Sequence, residues 1–364
     1  MIEQQRCTNC IRTLKTPLEL AQGICADCEK STTNFNDRDW RALESEFADR
    51  LRSYRDRGGR YDCLVPLSGG KDSTYVLYYM TQVQEARGYA YSYSNFFQRE
   101  EADTNIRKAV RAAATPLFVF DPFTPAEWQR AYRALMSTWG HPCLFCYHLR
   151  TPMIYNVCLE HKIPLVVYGA DHTQAELLPM FSSNWQLGVD ERFAIHQAHA
   201  ATLAKDLETS FQDEPALLEK VYSRAPYFKA FVAGEVAPAD LPAFVSLGQY
   251  HNWRLAGEDR FIRLLKGFCD YVPVGHTKEN TNCSLERLRV YVEGRRGNSY
   301  PVDVLSRKIR EREIDRDSAL QTLGTYQVAG AALEETIQAF CDKVEMTPQT
   351  LEEYLTRHEG VPST

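Results

Sequence analysis

One short loop constrains the fold of this 364-residue chain more than any other segment. It lies between the apolar run YDCLVPL (61–67) and a segment whose apolar residues recur at helical spacing (73–86). These flanks predict a buried strand before the loop and a helix after it. The loop itself consists of Ser68, Gly69, Gly70, Lys71, Asp72, Ser73 and Thr74.

The residue types in this loop suit a phosphate group. The two glycines allow a tight turn and a close approach of the backbone to a ligand. The loop N–H groups and the helix N-terminus would then face one point, to which Lys71 adds a cation. Asp72 is a candidate for holding Mg²⁺ or for positioning Lys71, and Ser73 for donating a hydrogen bond or capping the helix. The alternative is a glycine turn beside a solvated lysine.

Two common nucleotide-binding motifs do not fit this loop. The Walker A pattern requires a glycine at position 65 and a Ser or Thr after the lysine, whereas the chain has Val65 and Asp72 there. The Rossmann pattern GxGxxG is also missing. The loop therefore points to a different class of phosphate-binding protein.

Strand-like runs alternate with helical patterns through the first half of the chain. This alternation predicts an α/β fold, a doubly wound parallel sheet with helices on both faces. The predicted strands are 61–67, 89–97, 116–122 and 163–171, and the sheet is expected to resume at 271–275. Residues 182–266 have few strand-like runs and are predicted to be a helical insertion, with His196 and His199 on a helix surface. The expected regions are a zinc ribbon (1–35), the loop-bearing core (36–181), the insertion (182–266), and a return to the core with C-terminal helices (267–364).

Eleven cysteines favour metal binding or redox chemistry over a disulfide framework, because the chain is expected to be cytoplasmic. Two CxxC pairs, separated by fourteen residues, can bring four thiolates into the closed tetrahedron of a structural zinc site. They comprise Cys7, Cys10, Cys25 and Cys28. Two redox pairs, or unpaired surface thiols, are the alternatives.

A third CxxC, formed by Cys143 and Cys146, has no matching pair. Cys283 lies just after the expected strand at 271–275, so it could face the pair across the site. Three thiolates would leave one iron of a 4Fe–4S cluster open to sulfide or to a substrate atom. One alternative is a catalytic pair, in which one thiol carries a persulfide and the other resolves it as a disulfide. The other alternative is that these cysteines are buried and serve only in packing. Packing suits Cys63, in a strand, and Cys158, in a helix.

The charge of the chain bears on its partners. A net charge of −6 and a pI of about 5.9 disfavour a protein that coats duplex nucleic acid. No apolar run is long enough for a membrane span, and the N-terminus lacks a signal-peptide core. We therefore expect a cytoplasmic homo-oligomer without a membrane partner. One arginine-rich stretch could meet tRNA or a phosphorylated substrate, or be a salt-bridged surface; it contains Arg287, Arg289, Arg295, Arg296, Arg307, Arg310 and Arg312.

The SGGKDS loop resembles the PP-loop of the ATP pyrophosphatase superfamily, whose members cleave ATP between the α and β phosphates. The resemblance implies that residues 36–181 are an ATP-binding core, with Ser68 to Thr74 on the pyrophosphate. It also implies that Gly169 and Asp171, after the fourth strand, line the nucleotide site. Asp171 as an ordinary helix cap is the alternative.

Two further pieces are similar to the N-acetyl sugar amidotransferase branch of that superfamily. They are the N-terminal CxxC…GxCxxC opening and the segment 304–320, where Ile309-Arg310 is followed by Ile314-Asp315-Arg316-Asp317-Ser318-Ala319. That branch implies ammonia supplied by a glutaminase partner and transferred to a sugar precursor.

The order of Cys143, Cys146 and Cys283 instead resembles the PP-loop thiolases, which hold a 4Fe–4S cluster. The favoured hypothesis is that ATP adenylates a carbonyl or amide oxygen, which sulfur held at these cysteines then replaces, with Lys71, Asp72 and Asp171 also in catalytic roles. A nucleotide, nucleobase or sugar is favoured over tRNA as substrate, and a sulfur donor is expected. The ammonia-dependent amidotransferase is the alternative. The implied cofactors are ATP, Mg²⁺, Zn²⁺ and the cluster.

Overall fold

The computed structural model describes residues 5–31, 34–55, 59–177, 183–253, 257–274, 282–297, 299–326 and 330–359. The chain forms two compact units. One consists of residues 1–39, 140–142 and 285–364, and the other of residues 40–139 and 143–284. The expected division into four regions differs from this, because the loop-bearing core and the segment 182–266 belong to one unit.

A parallel sheet organises the second unit, and its strand order is β3-β2-β1-β4-β5. The strands are β1 (Cys63–Pro66), β2 (Gly88–Tyr93), β3 (Leu117–Phe120), β4 (Leu165–Asp171) and β5 (Ala243–Gly248). The strand order changes direction at β1, since β2 and β4 lie on its two sides. In open α/β sheets, ligands bind outside the carboxyl ends of the strands at such a switch point.

Helices make up most of the rest of the chain. Numbered along the chain, they are α1 (Pro17–Gln22), α2 (Ala26–Lys30), α3 (Trp40–Arg55), α4 (Lys71–Tyr78), α5 (Glu100–Ala112), α6 (Pro125–Trp139), α7 (Leu144–His161), α8 (His172–Leu177), α9 (Val189–Ser210), α10 (Pro215–Tyr222), α11 (Pro226–Val232), α12 (Glu258–Cys269), α13 (Glu286–Arg295), α14 (Tyr300–Arg310), α15 (Arg316–Gly324), α16 (Ala331–Val344) and α17 (Pro348–Arg357). A π-helical turn (Tyr79–Val83) continues α4, and 3₁₀ turns span Phe35–Asp37 and Pro238–Asp240. No described helix combines the length and apolarity needed to cross a bilayer.

The two faces of the sheet carry different sets of side chains, because neighbouring residues in a strand point to opposite faces. Cys63 and Val65 of β1 join a core with α3, α4, α5 and α12, while Leu64 between them does not. On the other face, the ring of Tyr155 in α7 lies 5.5 Å from that of Phe244 in β5. Cys63 and Cys158 are fully buried, in line with a packing role.

The fifth strand is not where the sequence predicts it. Residues 271–274 form no strand, and residue 275 lies outside the described part of the chain. Instead β5 occupies 243–248, inside the segment predicted to be a helical insertion. That segment is helical over most of 189–232, so the expected insertion is partly helix and partly the last strand of the sheet.

A buried hydrogen-bond network ties α7 and α9 to β5. Asn184 Oδ1 accepts a hydrogen bond from the Phe244 N–H (2.9 Å), so its amide nitrogen faces His196 Nε2. The hydroxyl of Tyr155 bonds to the Nδ1 atoms of both His196 (2.5 Å) and His199 (3.1 Å). His196 is 4% exposed, which corrects the expectation of a surface residue. Helical spacing on α9 could not reveal that this face is covered.

We expect His196 to make the protein less stable as the pH falls. Burial lowers its pKa from 6.5 to about 3, so the folded chain keeps it neutral while the unfolded chain takes up a proton below pH 6.5. Between pH 7.5 and 5.5 this should cost about 1.4 kcal/mol of unfolding free energy. Urea unfolding of the protein and of His196→Gln at both pH values measures the difference. An identical pH dependence in the two proteins would contradict this assignment.

Candidate functional site

The loop after β1 has the predicted strand–loop–helix arrangement. Leu67 extends the strand by donating its N–H to the Tyr91 carbonyl (2.7 Å). The chain then turns at Gly69, whose φ is +76°, and α4 begins at Lys71 with Gly70 as its N-cap. A Cβ atom on Gly69 would lie 2.2 Å from the Ala102 carbonyl oxygen in α5. Only glycine can occupy this position, since both the backbone conformation and the space exclude a side chain.

Side-chain hydrogen bonds hold the loop closed. Ser73 Oγ accepts from the Ser68 N–H (3.1 Å) and contacts Ser68 Oγ (3.0 Å). Thr74 Oγ1 donates to the Gly70 carbonyl (2.8 Å), which also accepts from Ser73 Oγ (3.2 Å). The first N–H groups of a helix have no partner within the helix. The N-terminus of α4 therefore carries backbone donors without intrahelical partners next to Lys71, which is only 4% exposed.

The end of β4 meets the loop at Gly169. A Cβ atom on Gly169 would lie 3.1 Å from the backbone of Asp72 and Ser73, so this strand passes directly against the start of α4. Asp171, in contrast, acts as a helix cap. Its Oδ1 accepts from the Gln174 N–H (2.8 Å) and from Thr173 Oγ1 (2.6 Å) at the start of α8.

Asn105 of α5 binds the backbone of the loop, and it was not among the site residues predicted from the sequence. It is fully buried, and its Nδ2 donates to the carbonyls of Gly69 (3.1 Å) and Val272 (2.8 Å). Its Oδ1 accepts from the Val272 N–H (2.9 Å). A signal did exist, because Asn105 lies on the buried stripe of α5 beside Ala102, Ile106 and Ala109.

The third CxxC lies at the start of α7. Cys143 is the N-cap residue and Cys146 is in the first turn, and both are partly exposed. Cys283 forms an isolated antiparallel β-bridge with Gln98, which lies between β2 and α5. The Cys283 thiol donates a hydrogen bond to Asn95 Oδ1 (3.8 Å). The Ser284 N–H also bonds the Phe97 carbonyl (3.0 Å).

One buried tyrosine, Tyr132, interacts electrostatically with all three of these cysteines. Burial raises the pKa of Tyr132 well above its ordinary value, and Cys146, Cys283 and Cys143 all contribute to this rise. Burial and the Cys143 thiol also raise the pKa of Cys146 to about 12, against opposing effects from Arg150 and from the Tyr132 and Tyr93 hydroxyls. All three predicted cysteines thus act electrostatically on Tyr132, which was not among the residues predicted from the sequence.

The spacing of the thiols distinguishes Cys143, Cys146 and Cys283 from the four N-terminal cysteines. Among the described residues, a set of three or more ligand atoms within 4.8 Å of one another is found in Cys7, Cys10, Cys25 and Cys28 and does not include Cys143, Cys146 and Cys283. Thiolates on one tetrahedral zinc lie about 3.8 Å apart, as follows from Zn–S bonds of about 2.3 Å. In a 4Fe–4S cluster, by contrast, each cysteine thiolate binds a different iron. Cys143, Cys146 and Cys283 are therefore not spaced as the ligands of one tetrahedral zinc ion.

The four N-terminal cysteines fit a single tetrahedral ion. The Sγ atoms of Cys10 and Cys25 are 3.7 Å apart, and all four residues are buried. The N–H groups of Cys10 (3.5 Å) and Cys25 (3.3 Å) donate to Cys7 Sγ, which stabilises a thiolate there.

The segment that resembles the amidotransferase branch packs on this four-cysteine site. The Arg316 guanidinium donates to the carbonyls of Cys10 (3.2 Å) and Cys7 (3.4 Å). Ala319 in α15 belongs to one apolar cluster with Ile11. Asp315 caps α15 by accepting from the Ser318 N–H (2.7 Å). This segment therefore supports the cysteine site in its own unit.

Several of the arginines considered for ligand binding are in ion pairs. Arg295 binds Glu352 (2.7 Å) and Glu359 (2.8 Å), and Arg307 binds Glu311 (2.8 Å). For Arg295 and Arg307, the structure therefore matches the alternative of salt-bridged arginines.

Comparisons with known proteins give distant similarities. No family model matches the chain. An uncharacterized protein, MJ1599, of Methanocaldococcus jannaschii is 22% identical over 170 residues; the match covers 45% of this chain and 58% of that relative's length.

Two solved structures are similar at 12% identity. One is the NH3-dependent NAD synthetase from Campylobacter jejuni in complex with nitrate, with a TM-score of 0.30 over 55% of this chain and 98% of that chain. The other is the U34-tRNA thiolase NcsA from Methanococcus maripaludis with its 4Fe–4S cluster, with a TM-score of 0.34 over 90% of this chain and 91% of that chain. At these values, the function of this chain has to be inferred from its own residues.

Gly69→Ala should destabilise the protein by about 3 kcal/mol, through strain at positive φ and a clash with Ala102. The matched control is Gly267→Ala in α12, where an added Cβ meets nothing within 4 Å. That change should stabilise the protein by about 1 kcal/mol, because alanine is the better helix former. Chemical denaturation measures both. Equal effects at the two glycines would contradict the close approach of the loop to α5.

Proposed function

We propose that this protein is an ATP-dependent enzyme that adenylates a carbonyl or amide oxygen at the loop after β1 and then replaces that oxygen with sulfur. The observation that carries the proposal is the position of the N-terminus of α5, which contacts both candidate sites. The loop packs on Ala102 through Gly69, and the Arg99 N–H donates to the carbonyl of Asn282, next to Cys283 (2.9 Å).

The geometry of the sheet supports the same combination. β1 leads into the loop and pairs directly with β2. The chain after β2 contains Asn95, which accepts a hydrogen bond from the Cys283 thiol. Neighbouring strands lie about 4.8 Å apart. A nucleotide held by the loop and a sulfur atom held by the cysteines would therefore be at the same edge of one sheet.

The chemistry assigned to the loop is phosphate binding. The loop N–H groups and Lys71 would hold the β and γ phosphates while the substrate oxygen attacks the α phosphorus, so that pyrophosphate leaves. The adenylated oxygen is then a good leaving group. A sulfide nucleophile displaces AMP, which gives a thiocarbonyl product, and releases its proton to solvent.

The thiols of Cys143, Cys146 and Cys283 would bind the sulfur-delivering group. A 4Fe–4S cluster held by Cys143, Cys146 and Cys283 would supply an iron that no protein thiolate occupies, at which sulfide can bind. The raised pKa of Cys146 means that this thiol stays protonated near neutral pH unless a metal takes the place of its proton. A structural zinc at Cys7, Cys10, Cys25 and Cys28 completes the proposal.

The substrate proposed is a small molecule, such as a nucleotide, nucleobase or sugar. The net charge of −6 favours it over tRNA, which is the second substrate to test.

Ammonia in place of sulfur is the second candidate function. It is favoured by one observation, namely that Arg316 and Ala319, in the segment similar to sugar amidotransferases, pack on the N-terminal cysteine site. The adenylation step is common to both candidates, and the metal content separates them.

Lys71→Ala should abolish ATP-dependent pyrophosphate release, because the loop loses the cation that it holds beside the phosphates. Pyrophosphate release in the presence of candidate substrates is the measurement. The matched control is Lys266→Ala, at an exposed position of α12, which should retain activity. Pyrophosphate release that persists in a folded Lys71→Ala protein would exclude the proposed use of the loop.

Anaerobically purified protein should contain about four iron and four sulfide atoms and one zinc per chain. Cys283→Ser should lose most of the iron and the visible absorption but keep the zinc. Cys269→Ser is the matched control, since its hydroxyl can replace the thiol bond to the Leu265 carbonyl (3.5 Å), and it should keep both metals. Zinc without iron, even after reconstitution, would reject the cluster and place the ammonia-dependent function first.

A further inference from the structure

A segment after β5 reaches the acidic residue of the loop. The chain turns at 247–250 and brings Trp253, which is 5% exposed, against the start of α4. The indole N–H of Trp253 donates to Asp72 Oδ1 (3.0 Å). Trp253 lies 181 residues beyond Asp72 in the sequence.

The indole is held by a stack of rings on α4. The ring of Tyr75 lies 5.3 Å from that of Trp253, at an interplanar angle of 26°, and 5.7 Å from that of His251, at 6°. His251 Nδ1 bonds to Glu44 of α3 (2.5 Å), and His251 Nε2 bonds to the Tyr75 hydroxyl (2.8 Å). This stack fixes the direction in which the Trp253 N–H points.

The bond to Trp253 restricts the carboxylate of Asp72. An indole N–H is a donor only, so it occupies a lone pair of Oδ1. Without that bond, an aspartate in the first turn of a helix can rotate to accept from the helix N–H groups instead. Mg²⁺ requires near-ideal octahedral oxygen geometry, so the orientation of a carboxylate ligand matters to its binding.

We propose that Trp253 is a positioning residue, which orients Asp72 to bind the divalent cation of a Mg²⁺–nucleotide complex at the loop. This rests on the proposed function only as far as nucleotide binding, and it holds for either the sulfur or the ammonia chemistry. Asp72 is the group that would contact the cation, and Trp253 acts through it.

The test uses Trp253→Phe, which retains an aromatic ring for the stack on Tyr75 and removes the N–H donor. The concentration of Mg²⁺ that gives half-maximal ATP binding, followed by calorimetry on the full-length protein, should rise about tenfold. ATP binding in excess EDTA should not change. The matched control is Trp185→Phe, which removes a buried indole donor bonded to the Tyr250 hydroxyl (2.9 Å) and should leave the Mg²⁺ dependence unchanged.

A second comparison separates positioning from packing. In an Asp72→Asn background, Trp253→Phe should have no further effect on the Mg²⁺ dependence, because the group through which it acts is gone. An unchanged Mg²⁺ dependence in Trp253→Phe, an equal shift in Trp185→Phe, or additive effects with Asp72→Asn would each overturn the proposal. Since ATP binding is measured without substrate, a failure of sulfur transfer leaves this test intact.

Discussion

The close approach of the loop backbone to α5 is the constraint on which the rest of the second unit depends. Gly69 touches the Ala102 carbonyl at a distance that leaves no room for a Cβ, and Asn105 binds the Gly69 carbonyl from the next turn. The first turn of α5 is thereby fixed against the loop. Because the same helix starts at the stretch that pairs with Cys283, α5 contacts both the loop and the segment that carries this cysteine.

Much of this fold could be predicted from the sequence, because the strand–loop–helix pattern at 61–78 and the later apolar runs reflect local periodicity. The fifth strand could not. Residues 271–274 read as a strand, but the N–H and carbonyl of Val272 are satisfied by the side-chain amide of Asn105 rather than by a neighbouring strand. The segment 243–248 lies among helical stretches and becomes a strand only because β4 offers it a partner.

The candidate sites divide in the same way between local and long-range information. The spacing of Cys7, Cys10, Cys25 and Cys28 is sufficient to predict that they meet, since two short hairpins determine the geometry. The placement of Cys283 beside Asn95 depends on tertiary packing, and Tyr132, on which Cys143, Cys146 and Cys283 act electrostatically, has no sequence signature. The Trp253 contact with Asp72 is of the same long-range kind, as is the burial of His196.

The donor and acceptor directions in the hydrogen-bond network around His196 follow from one backbone N–H group. The N–H of Phe244 fixes the amide of Asn184, which makes His196 Nε2 an acceptor and its Nδ1 a donor. Each later hydroxyl and imidazole in the series then has a single direction in which it can donate, from His196 through Tyr155 to His199 and on to Tyr147. The peptide N–H of Phe244 in the edge strand β5 thus determines the tautomers of His196 and His199. Within this series, the hydroxyl proton of Tyr147 is the one whose acceptor the network does not determine.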